Sequence, residues 1–274
     1  MTGETFAPSA RQRAQAQARA AFARAGRRTE PASLFETGGL RWRFPRATAP
    51  CEAVLVNTGG GVAGGDSYRV ALTLDAGAEV EATTTAAEKI YRSEGPAARI
   101  ASTLTLGPRA RLAWLPQETI LFDGARLDRS LTIEIAADAD LLAVETLVFG
   151  RLAMGETRID ASLSDSWRLT RAGRLVYADA TRLGAAGLSL DRPACGAGAR
   201  AVTTVLAASP EVEARLADLR AALDAHAEGV EAGASAFDGL LVARLLSASP
   251  SRLREAAIAA IVALSGRAPP RLWR

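Results

Sequence analysis

A short motif recurs along this chain, and it restricts the fold more than any other feature. Leu72-Thr73-Leu74-Asp75-Ala76-Gly77-Ala78-Glu79-Val80 is echoed by Leu104-Thr105-Leu106-Gly107-Pro108-Arg109-Ala110-Arg111-Leu112 and by Ile133-Glu134-Ile135-Ala136-Ala137-Asp138-Ala139-Asp140-Leu141. The copies start at positions 72, 104 and 133, a period of about 30 residues. Each reads as strand, tight turn, strand, with apolar residues alternating around small turn residues. Trp167-Arg168-Leu169-Thr170-Arg171-Ala172-Gly173-Arg174-Leu175-Val176-Tyr177 is a fainter fourth copy. The period predicts a mainly β chain, a β-helix-like stack of strand–turn–strand units. Four hairpins of a Greek-key sandwich fit the same pattern.

The second strand of each unit ends in polar residues. They are Thr83, Thr84, Thr85 and Glu88, then Gln117, Glu118 and Thr119, then Glu145 and Thr146, and last Asp179. Stacked units would align them as a row of oxygen donors. Carboxylates and hydroxyls suit hard divalent ions and hold a borderline ion such as nickel weakly. Weak binding suits a passage rather than a store. Solvated strand ends carry the same residue types.

The first unit is preceded by a glycine-dense segment, Asn57-Thr58-Gly59-Gly60-Gly61-Val62-Ala63-Gly64-Gly65-Asp66. It contains Gly59-x-Gly61-x-x-Gly64 after a β-branched run, the spelling of a dinucleotide-binding loop. A dinucleotide-binding oxidoreductase using the Gly59–Gly64 loop is therefore the alternative function. That fingerprint needs a helix whose N-terminus starts at the glycines and holds the pyrophosphate. Here Val70 to Leu74 alternates with period two and three consecutive threonines follow at 83–85, so strands are expected instead. Asp66 also fits a turn residue that bonds the loop's own amides.

Composition removes several classes of chemistry. The single histidine, His226, is the only imidazole available to a nucleophilic triad, and a metal site with two imidazoles cannot be built within one chain. No nucleophile–base set stands out, so no catalytic residues and no tightly bound cofactor are expected. Cys51 and Cys195 form no CxxC pair and read as buried free thiols. The net charge is +3, with arginines interleaved with acids, which argues against nucleic acid as a partner. No apolar run reaches the ~18 residues of a membrane span and no signal-like segment opens the chain, so a cytoplasmic location is expected.

The remaining organisation follows from pattern. Residues 1–18 predict a mobile or weakly helical tail, and 19–274 a single β domain. Helices are expected near 210–227, with Ser209 as N-cap before Pro210, and near 251–265, closed by Gly266. Two strands should flank Phe237-Asp238-Gly239. His226 should meet the end of the first helix. Trp114 and Phe122 read as core and turn, and Glu88 with Lys89 as a surface charge pair.

Four segments resemble the urease accessory protein UreD (UreH) family. The first is Asn57 to Asp66. The others are Thr83-Thr84-Thr85-Ala86-Ala87-Glu88-Lys89-Ile90-Tyr91-Arg92-Ser93, Trp114-Leu115-Pro116-Gln117-Glu118-Thr119-Ile120-Leu121-Phe122-Asp123-Gly124-Ala125, and Phe149-Gly150-Arg151 with Gly155-Glu156. They occur in the family's order from about Gly26 to the C-terminal tryptophan. The resemblance implies a β-helix-like fold with two helices and a scaffolding role rather than catalysis. It implies direct binding of UreF, recruitment of the GTPase UreG through UreF, docking on urease apoprotein, and a 2:2:2 UreD–UreF–UreG assembly. It also implies nickel in transit through a polar tunnel. Asp66, Thr84, Thr85, Glu88, Glu145 and Asp179 carry over as candidate lining residues.

Overall fold

A computed structural model describes residues 13–45, 50–156, 159–184 and 190–273. The chain is a β-solenoid of four coils whose strands build two facing sheets. The first sheet receives β4 (Cys51–Asn57), β6 (Glu79–Thr84), β9 (Arg111–Leu115) and β12 (Asp140–Phe149), each parallel to the next. The second receives β5 (Ser67–Leu74), β8 (Ala98–Leu106), β11 (Arg126–Ile135) and β13 (Ser162–Arg171), also parallel. Two short strands, β7 (Glu88–Ile90) and β10 (Thr119–Leu121), continue the first sheet past a bend and pair in parallel with each other, and β10 also pairs with the end of β12.

The repeat sets the register of this stack. Leu72, Leu104, Ile133 and Leu169 lie side by side on one rung. None of the four is more than 1% exposed. Burying such a side chain stabilises the fold by about 1.5–3 kcal/mol, and a one-residue slip would turn every one of them outward. The first three copies therefore stack as expected of a solenoid. The fourth does not form a coil. Its turn at Ala172-Gly173 has positive φ at both residues, 48° and 80°. This sends the chain straight back as β14 (Arg174–Leu183), antiparallel to β13 in the same sheet.

Both ends of the stack are closed by antiparallel pairs. At the start, β1 (Gln15–Ala25) runs parallel to β5 and pairs with β2 (Arg28–Thr37), while β3 (Leu40–Arg43) pairs with β4. Gln15 to Ala18, expected in the N-terminal tail, already belong to β1, because Ala16, Ala18, Ala20 and Phe22 face the core at period two. Residues 1–12 of that expected tail lie outside the described residues. At the far end β12 pairs with β15 (Ala201–Ala208), which pairs with β17 (Leu240–Ser247) and then β16 (Val230–Phe237).

Two helices cover the outer face of this last part of the first sheet. α1 (Leu216–Asp224) is shorter than expected and follows a 3-10 turn at Val212–Arg215, so Ser209 does not cap it. α2 (Pro250–Ser265) is capped by Ser249 and closed by Gly266 at φ 66°. Leu253, Ala257 and Ile261 of α2 pack with Leu219, Leu241 and Val144. β12 is thus buried on both faces, which explains its unbroken apolar run. Among the described residues no helix is long and apolar enough to cross a membrane.

Candidate functional site

The glycine segment opens not into a helix but into β5, so it lacks the positive helix end a pyrophosphate needs. Gly61 and Gly64 serve close packing. A Cβ on Gly64 would stand 1.8 Å from the Ser93 hydroxyl oxygen, and one on Gly61 would stand 2.5 Å from the Tyr91 ring. Asp66 closes the segment with both carboxylate oxygens used. One accepts from the Ala14 amide at 2.8 Å and the other from the Ala63 amide at 2.8 Å. This is the turn role its position allows, and it also ties β1 to the loop.

Inside this end of the stack runs a polar layer. On the second sheet one rung carries Tyr68, Ile100, Arg129 and Asp165. Facing it from the first sheet are Asn57, Glu88, Thr119 and Glu145. Asn57 donates to both Glu88 oxygens at 3.1 and 3.0 Å, and the Tyr68 hydroxyl donates to the Gly61 carbonyl at 3.4 Å. Glu88 stands beside Thr119 on adjacent strands, and the Thr119 hydroxyl accepts from Arg129 at 3.4 Å. Arg129 forks onto Asp165, Nε to Oδ1 at 3.0 Å and Nη2 to Oδ2 at 2.6 Å. Its Nη1 lies 3.1 Å from Oε2 of Glu145, whose other oxygen accepts from the Trp114 indole at 2.8 Å.

Burial sets the protonation of these groups. Desolvation raises Glu145 above the ordinary carboxylate range, against the pull of Arg129. Glu88 is raised for the same reason, partly offset by the Asn57 amide. Burial and the neighbouring Asp66 and Glu88 charges raise the Tyr68 phenol. The two carboxylates flanking Arg129 overcome its own desolvation and hold it protonated.

Of the six residues singled out from sequence, Glu88 and Glu145 join this layer. Asp66 borders it next to Tyr68. Asp179 reaches it indirectly: on β14 it pairs with Arg244, whose neighbour on β15 is Thr204, the direct partner of Glu145. Thr84 and Thr85 are turned to the backbone. Thr84 Oγ1 accepts from the Gln117 amide at 2.9 Å and donates to the Ala86 carbonyl at 3.0 Å. Thr85 donates to the Leu55 carbonyl at 3.2 Å and is exposed. Glu88 is half-buried and both its carboxylate oxygens are held by Asn57, while the Lys89 it was expected to pair with at the surface donates its backbone amide to one of them at 3.2 Å. Arg129 and Asp165 were missed. Their signal is phase: each occupies an inward slot of a strand that otherwise reads Leu127, Leu131, Ile133 or Leu163, Trp167, Leu169.

The other expectations divide. His226 Nδ1 lies 2.9 Å from the Ala222 carbonyl, at the end of α1. Trp114 is core, and Phe122 packs edge-on against Tyr91 with Arg151 over its ring. Cys51 is buried but Cys195 is exposed, on a 3-10 turn at Pro193–Cys195 that has no buried residue. A cleft of 640 Å³ opens at the opposite ends of the same strands, lined by Glu79, Arg111, Asp140 and Arg267. Two of its acids are met by arginine: Asp140 lies 3.1 Å and Glu79 3.9 Å from Arg111. Among the described residues no three His, Cys, Asp or Glu side chains are grouped so as to hold a metal ion.

A profile of the UreD urease accessory protein family matches residues 14–274. This chain belongs to the UreD family. A urease accessory protein UreD of Methylobacterium sp. (strain 4-46) is 55% identical over 255 residues, covering 91% of this chain and 90% of the relative. The UreD of Beijerinckia indica is 48% identical, covering 91% and 93%, and that of Azorhizobium caulinodans is 44% identical, covering 96% and 97%. All four UreD-like segments of the sequence border the polar layer or the bend beside it.

Proposed function

We propose that this chain is a non-catalytic scaffold for nickel delivery to urease. In this reading it binds UreF directly, receives the GTPase UreG through UreF in a 2:2:2 assembly, and docks on urease apoprotein. UreG hydrolyses GTP to drive insertion, and nickel is cargo rather than a resident cofactor. The observation that carries the reading is the polar layer in a chain whose relatives are named urease accessory proteins. A stack of apolar coils has no structural need for a buried arginine with two buried carboxylates, and such groups cost several kcal/mol to desolvate.

The layer suits transit better than storage. Its carboxylates are spread along the stack, each is engaged by a protein donor, and no three are gathered. A divalent ion would meet one carboxylate at a time, at Glu88 and then Glu145, with Asp66 and Asp179 toward the two ends and Thr84 and Thr85 at the bend. Deleting the gene in a urease-producing host should leave urease expressed but nickel-poor, and the tagged chain should co-purify with UreF and urease apoprotein. Fully nickel-loaded urease in the deletion strain sinks the proposal.

A further inference from the structure

Arg129 occupies the interior position a travelling cation would have to share. It is 8% exposed, and Glu145 and Asp165 are each 7% exposed. Its two carboxylate contacts are unequal. Asp165 takes a two-point fork with both bonds in hydrogen-bond geometry. Glu145 takes a single ion pair at 3.1 Å, and its Oε2 accepts no hydrogen bond although it is fully buried. A buried carboxylate oxygen held by one ion pair and by no aligned hydrogen bond is the less secured end of this arrangement. Arg129 Nη1, which pairs with this oxygen, also donates to Thr119 at 3.4 Å, and Thr119 stands beside Glu88 on the adjacent strand.

We propose that Arg129 is a resident counter-cation that closes the polar layer to divalent ions, with Asp165 as its anchor and Glu145 as the exchangeable carboxylate. This deepens the nickel-passage reading and rests on it. The guanidinium satisfies Glu145 in the resting chain, so an uncompensated carboxylate never attracts cations into the core. Admission of a divalent ion requires the guanidinium to leave Glu145 while its fork on Asp165 holds. The rearrangement breaks one ion pair and leaves the two-point fork in place. Like-charge repulsion between Arg129 and the ion makes the two states exclusive.

The test is nickel binding to the full-length chain in its complex with UreF, with aqueous Ni²⁺ alone as probe, read by equilibrium dialysis near pH 7. Arg129→Gln should bind Ni²⁺ about tenfold or more tighter than wild type, since one positive charge has left a poorly screened site. The gain should vanish in Arg129→Gln/Glu145→Gln. Arg129→Lys keeps the buried charge for Asp165 but cannot span both carboxylates. It should gain in the same direction by less, and it serves if the glutamine variant does not fold. Folded variants that bind nickel no better than wild type overturn the proposal, as does a gain that survives loss of Glu145. Urease activation by Glu145→Gln alone separates the counter-cation role from the passage. Impaired activation without a nickel gain in the Arg129 variants defeats the counter-cation and leaves the passage. Normal activation with that gain does the reverse.

Discussion

Replacing Gly64 with alanine tests whether the glycine segment is a packing device. The new Cβ would lie 1.8 Å from Ser93 Oγ, 2.3 Å from Ser93 Cβ and 2.7 Å from the Pro96 carbonyl. Ser93 cannot simply rotate away. Its hydroxyl donates to the Pro96 carbonyl at 2.9 Å and accepts from the Gly95 amide at 3.2 Å. Overpacking costs about 1–3 kcal/mol, and losing a hydrogen bond here adds about 0.5–1.5 kcal/mol. The expected loss is therefore about 2–4 kcal/mol. Two neighbours calibrate it. Gly60→Ala meets no atom but sits at φ +73°, which costs about 1–2 kcal/mol. Gly95→Ala meets nothing and has no such φ, so its change should stay within about 0.5 kcal/mol. Urea unfolding followed by fluorescence of the buried Trp42, Trp114, Trp167 and Trp273 gives the ranking. A Gly64→Ala variant as stable as Gly95→Ala would refute the packing account and reopen the loop as a place where a ligand approaches backbone.

Three further outcomes follow from the contacts. Asp66→Asn leaves one acceptor oxygen for two amides and should lose about 1.5–3 kcal/mol in the same assay; no loss would mean the Ala14 and Ala63 bonds are idle. Cys195 should react with a thiol reagent at pH 8 in the native chain, whereas Cys51, whose thiol is pushed up by burial, should react only after unfolding; equal rates would contradict the buried position of β4. Truncation before Arg271 removes Trp273, whose indole donates to the Leu115 carbonyl at 2.9 Å, and the Leu272 carbonyl that Gln117 uses. It should cost about 3–5 kcal/mol, read as a lowered melting temperature, and an unchanged melting temperature would show that the clamp on the β9–β10 connection is dispensable.

The solenoid was legible because its repeat places identical apolar slots about 30 residues apart, and the stacked rung of Leu72, Leu104 and Ile133 realises that spacing. The fourth copy misled because a coil and a hairpin share the same strand–turn–strand text. Only the two-residue Ala172-Gly173 turn tells them apart. The start of β1, Gln15 to Ala18, was hidden by alanine, which fills an inward slot while giving little hydrophobic signal. The polar layer was half legible. Glu88 and Glu145 stand at strand ends where polarity draws notice. Arg129 and Asp165 sit mid-strand, where a charge reads as solvent-facing unless its phase is followed along the whole strand. The pairing that matters most links β11 to β12 and β13, and no local pattern encodes that.

The most direct test asks whether the polar layer serves metal delivery at all. In a urease-producing host lacking its own UreD, this chain would be supplied as wild type or as the Glu88→Gln/Glu145→Gln variant. Nickel per urease active site would be measured alongside co-purification of UreF. The account predicts nickel-loaded urease with the wild type, and nickel-poor urease with the variant while UreF is still retained. Full nickel loading with the variant would contradict it.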